Sequence, residues 1–350
     1  MITMKEIGKL AGVSQPTVSV VLNGKGDEKG IAKKTQEKVL KLAEEYGFRT
    51  NAIARSMKTG KTGIIGIIVS KDAMQQTIDY YDNGIANMHL HASLLLAGCR
   101  VMLEVVSEED FNACKMPEIL SDGLVDGVIV FSSAGDEAVF TKYLERMKKY
   151  TSKVLLLNDI SELEISNVAV DEKEVGIKAA DCLWECGYRS FGMISCDEYR
   201  IALDTRLQSF AERIGELSNN SIQVVSAHAG NRWSLDCGQV AVSELLKLCG
   251  NKCPEAIFCA NDFFAYGAEI ELCNRGFSIP DDVALLGVGE SNLAEKAPIP
   301  IAAFGVSLSE KTAAVLDIYE RWQNGESDYI KKSLAPTLFR RNSIHNKNKE

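Results

Sequence analysis

From about residue 63 the chain alternates short apolar runs with longer amphipathic stretches. A first series of runs lies at Ile64–Val69, Val101–Val106, Gly127–Phe131 and Lys153–Leu157, and a second at Asn167–Val170, Phe191–Ser195, Gln223–Ser226, Ala256–Ala260 and Val283–Gly287. Their length and richness in branched residues predict strands. Between them, stretches such as Asp136–Tyr150, Glu172–Cys186 and Asp262–Arg275 have helical spacing. Strand–helix alternation of this kind predicts parallel sheets covered by helices on both faces. Nine runs over this length suit two doubly wound lobes better than one, with a ligand cleft between them beyond the carboxyl ends of the strands.

The N-terminal segment, positions 1–48, follows another pattern. Thr3-Met4-Lys5-Glu6 is a capping box that opens a helix to about Ala11, with Ile7, Leu10 and Ala11 on one face. Gly12-Val13 interrupts it, and Ser14 caps a second helix that runs to Asn23. There Val18, Val21 and Leu22 face inward at i, i+3 and i+4, leaving Gln15, Pro16, Ser19 and Val20 outside. Pro16 is tolerated because first-turn amides have no partner within the helix. A third helix, about Lys34 to Tyr46, turns Val39, Leu42, Ala43 and Tyr46 inward. Residues 49–62 form a polar, basic connector whose large apolar groups are Ile53 and Met57. It is too short to be a stable helix alone and folds only against something.

Charge sharpens this division. The whole chain of 350 residues carries −9, yet residues 1–62 hold 12 Lys+Arg against 6 Asp+Glu, a balance of +6, and the remainder stands at −15. A small basic end on an acidic body points to one domain that meets phosphates and another that does not. No run is long and apolar enough to span a membrane, and Met1–Glu6 has no secretory pattern, so a cytoplasmic, nucleoid-associated protein is expected. The ten cysteines make no Cys-x-x-Cys pair. Cys182/Cys186 and Cys249/Cys253 are four apart, as core fillers on a helix would be, and no metal or cofactor is expected. His89 and His91 have no obvious ligand partners beside them and are read as structural.

Ala11-Gly12-Val13-Ser14-Gln15-Pro16-Thr17-Val18-Ser19-Val20-Val21-Leu22-Asn23, followed by Tyr46-Gly47-Phe48-Arg49-Thr50-Asn51-Ala52-Ile53-Ala54-Arg55-Ser56-Met57, resembles the lac-repressor (LacI) family. Gly66–Val69, Val125–Ile129, Ala260-Asn261-Asp262 and Ile279–Val283 extend the resemblance over nearly the whole chain. It implies a helix-turn-helix headpiece with a hinge helix and two lobes of the periplasmic-binding-protein-like type. It further implies a homodimer on a near-palindromic, double-stranded DNA operator and a small-molecule effector. By resemblance Gln15, Pro16 and Val20 read bases. Gln15 suits an adenine edge and Val20 a thymine methyl, whereas Ser14, Thr17 and Asn23 suit phosphates, and Thr3 and Ser19 are further expected DNA contacts. Asn51, Ala54 and Met57 fall on the hinge helix, with Met57 where the family places an apolar wedge into a minor-groove step. Two departures affect the headpiece: a longer loop at Gly24–Gly30, and Ala32 where a capping side chain is usual, a loss of about 1 kcal/mol.

For the effector, the resemblance implies Arg206, Trp233, Asn261 and Asp262 as contacts. Where the family has an aspartate after the last long strand, this chain has Val288-Gly289, and Glu290 follows as a substitute with a different reach. A neutral sugar gripped through paired hydroxyls is therefore expected to bind poorly, and an acidic or atypical metabolite drawn to Arg206 is favoured. The family's Asn-Pro-Phe segment is also missing from Ser70–Thr77.

Other classes fare badly. Gly60-Lys61-Thr62 lacks the upstream glycine and strand of a phosphate loop, and four scattered histidines offer no nucleophile–base pair, so no enzyme activity is expected. The alternative kept open is a regulator of the same fold whose effector site is degenerate and which binds DNA constitutively. The expected boundaries are headpiece 1–48, hinge and linker 49–62, N-terminal lobe 63–161 with 307–327, C-terminal lobe 162–306 with 328–343, and polar tail 344–350.

Overall fold

The computed structural model describes residues 2–48, 56, 60–71, 81–131, 137–158, 160–197, 201–230, 234–250, 252–326 and 328–349. The chain falls into two compact units, Met1–Gly63 and Ile64–Glu350.

In the first unit, α1 (Met4–Ala11), α2 (Gln15–Leu22) and α3 (Lys33–Glu45) close on Ile7, Ala11, Val18, Val21, Val39 and Ala43. Thr3 and Glu6 make both halves of the expected capping box, with Thr3 N donating to Glu6 Oε2 at 2.8 Å and Glu6 N to Thr3 Oγ1 at 3.3 Å. Gly8 is buried under the turn, where a Cβ would lie 2.8 Å from the Val13 carbonyl oxygen, so the two helices approach only over a glycine. Lys38 Nζ donates to the Ala11 carbonyl at 3.0 Å, tying α3 to the end of α1. The longer loop is held by Gln36 Nε2, which donates to Asp27 Oδ1 and the Ile31 carbonyl, and Ala32 supplies no side-chain cap. Two inward expectations fail. Leu10 and Tyr46 are exposed, since three short helices enclose only a narrow core and the outer flank of each stripe stays in water.

The second unit has two six-stranded sheets. The first runs β11 (Lys331–Leu334), β5 (Ser166–Val170), β4 (Val154–Leu157), β3 (Gly127–Phe131), β1 (Ile64–Ser70), β2 (Arg100–Val106), with every pairing parallel. Side-chain alternation splits its core. Ile65, Ile67, Val69, Ile129, Leu155 and Leu157 go to one face, and Ile68, Val128, Val130, Val154 and Leu156 to the other. Helices α4 (Tyr81–Leu96) and α13 (Leu308–Gln323) cover the former through Leu90, Leu94, Val315 and Ile318. The short α5 (Glu108–Asn112) and α6 (Glu118–Ser121), with α7 (Glu137–Met147), cover the latter.

The second sheet runs β12 (Thr337–Phe339), β10 (Ala302–Gly305), β9 (Ala284–Val288), β8 (Ala256–Cys259), β6 (Phe191–Ser195), β7 (Val225–His228), parallel except for β10 with β12. Its helices are α8 (Glu172–Glu185), α9 (Ile201–Leu217), α10 (Leu235–Leu248), α11 (Asp262–Asn274) and the short α12 (Asn292–Glu295). One continuous core around Phe191, Phe210, Phe258 and Phe264 joins them.

The expected lobe boundary at 161/162 moves. Ser166–Val170 pairs with β4, and Lys331–Leu334 pairs with it in turn, so both belong to the first sheet. The backbone thus passes between sheets three times, at residues 171, 306–307 and 335–336. The polar tail is docked: Ile344 is buried, and the Lys347 amide donates to the Cys186 carbonyl at 2.9 Å. All ten cysteines are free thiols, most of them in the cores. Among the described residues no helix is long and apolar enough to cross a membrane.

Candidate functional site

The headpiece presents one polar face at the start of α2. Ser14 adopts extended backbone and caps the helix, which aims its first turn outward. Its Oγ accepts from the Thr17 amide at 3.3 Å and meets Thr17 Oγ1 at 2.9 Å. Gln15, Pro16 and Asn23 are exposed, and Thr17, Ser19 and Val20 half-buried, while Val18 and Val21 on the opposite side are sealed. Asn23 folds back at the helix end, its Nδ2 donating to the Ser19 carbonyl at 2.7 Å. Thr3 is exposed beside the first turn of α1. The candidates that cap α1 and open α2 therefore lie at exposed helix starts. Asn51, Ala54 and Met57 fall outside the described residues.

In the second unit a cavity of about 460 Å³ opens between the sheets. Its wall includes the carboxyl ends of five strands, namely Phe131, Leu157, Val170, Val288 and Gly305, where open parallel sheets place their ligands. Arg206, Asn261, Asp262 and Glu290 all line it, brought together from α9, the start of α11 and the loop after β9. Trp233 falls outside the described residues.

Arg206 is buried and already engaged. Nη1 donates to the Ala260 carbonyl at 2.6 Å, and Nη2 pairs with Glu172 Oε2 at 2.5 Å, while Nε has no partner. Asn261 caps α11, its Oδ1 accepting from the Phe264 amide at 2.9 Å, and its Nδ2 is left without a partner. Capping and cleft lining therefore coexist at this residue. Asp262 Oδ2 accepts from the Ser291 amide at 3.1 Å, and Glu290 Oε2 from the Leu308 amide at 3.1 Å. Gly289 has φ 131°, and a Cβ there would come 2.5 Å from Asp262 Oδ2. The absence of a side chain at 289 thus makes room for the carboxylate at 262.

Three cleft groups escaped the sequence reading. Glu172 opens α8 and holds Arg206. His89, read as structural, lines the cavity and meets Thr312 Oγ1 through Nδ1 at 3.2 Å. Lys311, on α13, faces Glu172, Arg206, Glu290 and Asp262. Burial pushes its ammonium below the ordinary lysine range against the pull of the three carboxylates. A lone lysine on an amphipathic helix carries no sequence signal that separates it from a solvated one.

Two family models match this chain: the bacterial regulatory proteins of the lacI family over residues 3–51, and the periplasmic binding protein-like domain over residues 180–344. The chain belongs to the LacI family. Several curated relatives cover 98–99% of this chain. They include the ribose operon repressor of Haemophilus influenzae, 24% identical with 99% of each chain covered, and the repressor PurR of Vibrio campbellii, 25% identical with 98% of this chain and 99% of that one. Among solved structures, the lac repressor dimer bound to operator and the anti-inducer ONPF superposes with a TM-score of 0.78 at 19% identity, covering 98% of each chain. The regulator CelR with cellobiose gives 0.67 at 22%, covering 98% of this chain and all of that one. The headpiece match includes α2 and its Ser14 cap, and the longer match includes Arg206, Asn261, Asp262 and Glu290.

Proposed function

We propose that this chain is a sequence-specific DNA-binding repressor, active as a homodimer on a near-palindromic operator, whose operator affinity is set by a small molecule in the cleft. The observation that carries the reading is the pairing, in one chain, of a Ser14-capped helix presenting Gln15, Pro16 and Val20 with a polar cavity between two lobes. Gln15, Pro16 and Val20 read bases in the major groove, and Thr3, Ser14, Thr17, Ser19 and Asn23 fix the backbone register. Asn51, Ala54 and Met57 are proposed minor-groove contacts on the sequence alone, and Trp233 a ligand contact on the same ground. Arg206, Asn261, Asp262 and Glu290 hold the effector. The formed cavity weighs against a degenerate, constitutive regulator, the relatives are named as repressors, and the site of action is the cytoplasm.

The test is enrichment of duplexes from a randomised pool by the full-length chain. Two inverted half-sites are expected, with an adenine position whose preference relaxes in Gln15→Ala. Recovery of random sequence by wild type would overturn the reading.

A further inference from the structure

The polar groups of the cleft are unevenly satisfied. Each of three carboxylates is anchored through at least one oxygen: Glu172 pairs with Arg206, Asp262 accepts from the Ser291 amide and Glu290 from the Leu308 amide. Two donors are open. Arg206 Nε and Asn261 Nδ2 are buried without a hydrogen-bond partner, on residues only 7% and 6% exposed. Lys311, half-buried on the same wall, makes no side-chain hydrogen bond or ion pair among the described residues, and burial disfavours its charge. Buried donors without acceptors are costly and uncommon in folded proteins. Two such donors and a lysine ammonium around one cavity describe the complement of an electronegative oxygen group.

Charge limits how negative that group is. Glu172, Asp262, Glu290 and Glu295 on the lining face Arg206 and Lys311, a formal balance of −2. A single negative charge placed against Arg206 and Lys311 adds least to that imbalance, whereas a phosphate ester would bring a second into an acidic wall. The donors also come from opposite sides of the cleft. Lys311 sits on α13, which packs on the first sheet through Val315 and Ile318, whereas Arg206 and Asn261 belong to the second lobe.

We propose that Lys311 is an effector-binding residue, which together with Arg206 and Asn261 holds the single carboxylate of a small monoanionic ligand and so ties the two lobes together. This rests on the cleft being the ligand site of the regulator. A group that reaches donors on both lobes binds the closed form more tightly than the open one, which is what a ligand must do to shift that equilibrium. Asn261 keeps its capping bond throughout, since only Nδ2 is engaged. The neutral walls at Leu90, Phe131 and Val288 receive the rest of the molecule.

The experiment uses the full chain labelled with ¹⁵N-arginine and follows the Arg206 Nε–Hε resonance during titration with sodium acetate, acetamide and methylammonium chloride. Acetate is expected to shift it saturably, and acetamide and methylammonium are not. Lys311→Met should weaken acetate at least about tenfold, as loss of a charge-assisted hydrogen bond requires, and Lys311→Arg should restore it. A panel of sugar acids, hydroxy acids and oxo acids is then expected to yield a ligand that alters operator affinity in wild type and not in Lys311→Met. An unresponsive resonance, an equal response to acetamide, or undiminished acetate binding in a folded Lys311→Met chain would overturn the proposal. These titrations contain no DNA. Their failure leaves the repressor reading standing, while acetate binding by a chain that recovers no operator sequence would sink that reading alone.

Discussion

The helix-turn-helix unit and the cleft unit use their polar residues in opposite ways. In the headpiece Thr3, Ser14 and Asn23 satisfy backbone groups within about one helical turn of themselves. In the cleft Arg206 from α9 meets Asn261 and Asp262 from the start of α11, and two of the three keep buried donors open. The first unit is finished before it meets its partner and offers an exposed face to phosphates and bases. The second leaves two donors open in its interior, where the proposed ligand completes it. A surface made by local capping is readable from spacing; an interior made by distant loops is not.

The largest test of that contrast is removal of the headpiece. A chain lacking residues 1–48 should lose specific operator binding by at least about a thousandfold in gel retardation, while circular dichroism and the melting transition of the cleft unit persist. Retained operator binding would place DNA recognition in the acidic body and dissolve the comparison.

Next comes the size of the two cores. Ile7→Ala and Ile257→Ala each remove part of a fully buried side chain, at a cost of about 2–5 kcal/mol. In the headpiece, whose core is a handful of buried side chains, that loss should melt the unit and abolish DNA retention at physiological temperature. In the second lobe it should lower the melting temperature and leave retention at room temperature. Equal consequences in the two variants would mean the headpiece draws stability from elsewhere.

A smaller effect is expected at Gly289→Ala. The backbone there has φ 131°, and the added Cβ would approach Asp262 Oδ2 to 2.5 Å. Such strain should cost about 1–3 kcal/mol and displace the carboxylate from the Ser291 amide. Thermal melting and a structure of the variant check this. An unmoved Asp262 would show that the glycine is not what admits it.

The smallest effect concerns Glu269, buried on α11, whose Oε1 accepts from the Ile299 amide at 2.9 Å while Oε2 has no partner. Burial raises its carboxyl above the ordinary glutamate value of 4.5. A raised acid favours the folded state below the unfolded value, and that advantage drains as pH climbs through the folded value. Glu269→Gln should therefore gain on wild type as pH rises from the ordinary glutamate range to neutrality in denaturant melts. A gap independent of pH would remove Glu269 as the cause.

Sequence pattern carried the fold far because parallel strands buried on both faces are continuous apolar runs, and nine of them stand out. The three it missed have reasons. Lys331–Leu334 and Thr337–Phe339 are edge strands, short and polar, and Ala302–Gly305 is mostly small residues filling a crowded position beside β9. The placement of Ser166–Val170 in the second lobe failed because chain order does not say which neighbour a strand takes. As residues of the cleft wall, Arg206 was legible through its family position, Asn261 and Asp262 through their place between a strand end and a helix start, and Glu290 as the carboxylate after the missing aspartate. Lys311, His89 and Glu172 were not, since each looks like an ordinary surface residue of its helix.

The sequence by itself determined the elements whose causes are local. A hydroxyl three residues before an amide starts α1 and α2, a glycine at position 8 admits the turn, and apolar spacing separates the buried from the exposed face of the recognition helix. Only the tertiary structure decided what depends on distance in space. It set which sheet each strand joins, how Arg206 is occupied by Glu172, and that a carboxylate at 262 fills the space left by Gly289. It also brought one lysine from the first lobe to face the carboxylates of Glu172, Asp262 and Glu290. Backbone capping is settled within a turn of the chain, but burial and charge in a cleft are sums over everything the fold brings near.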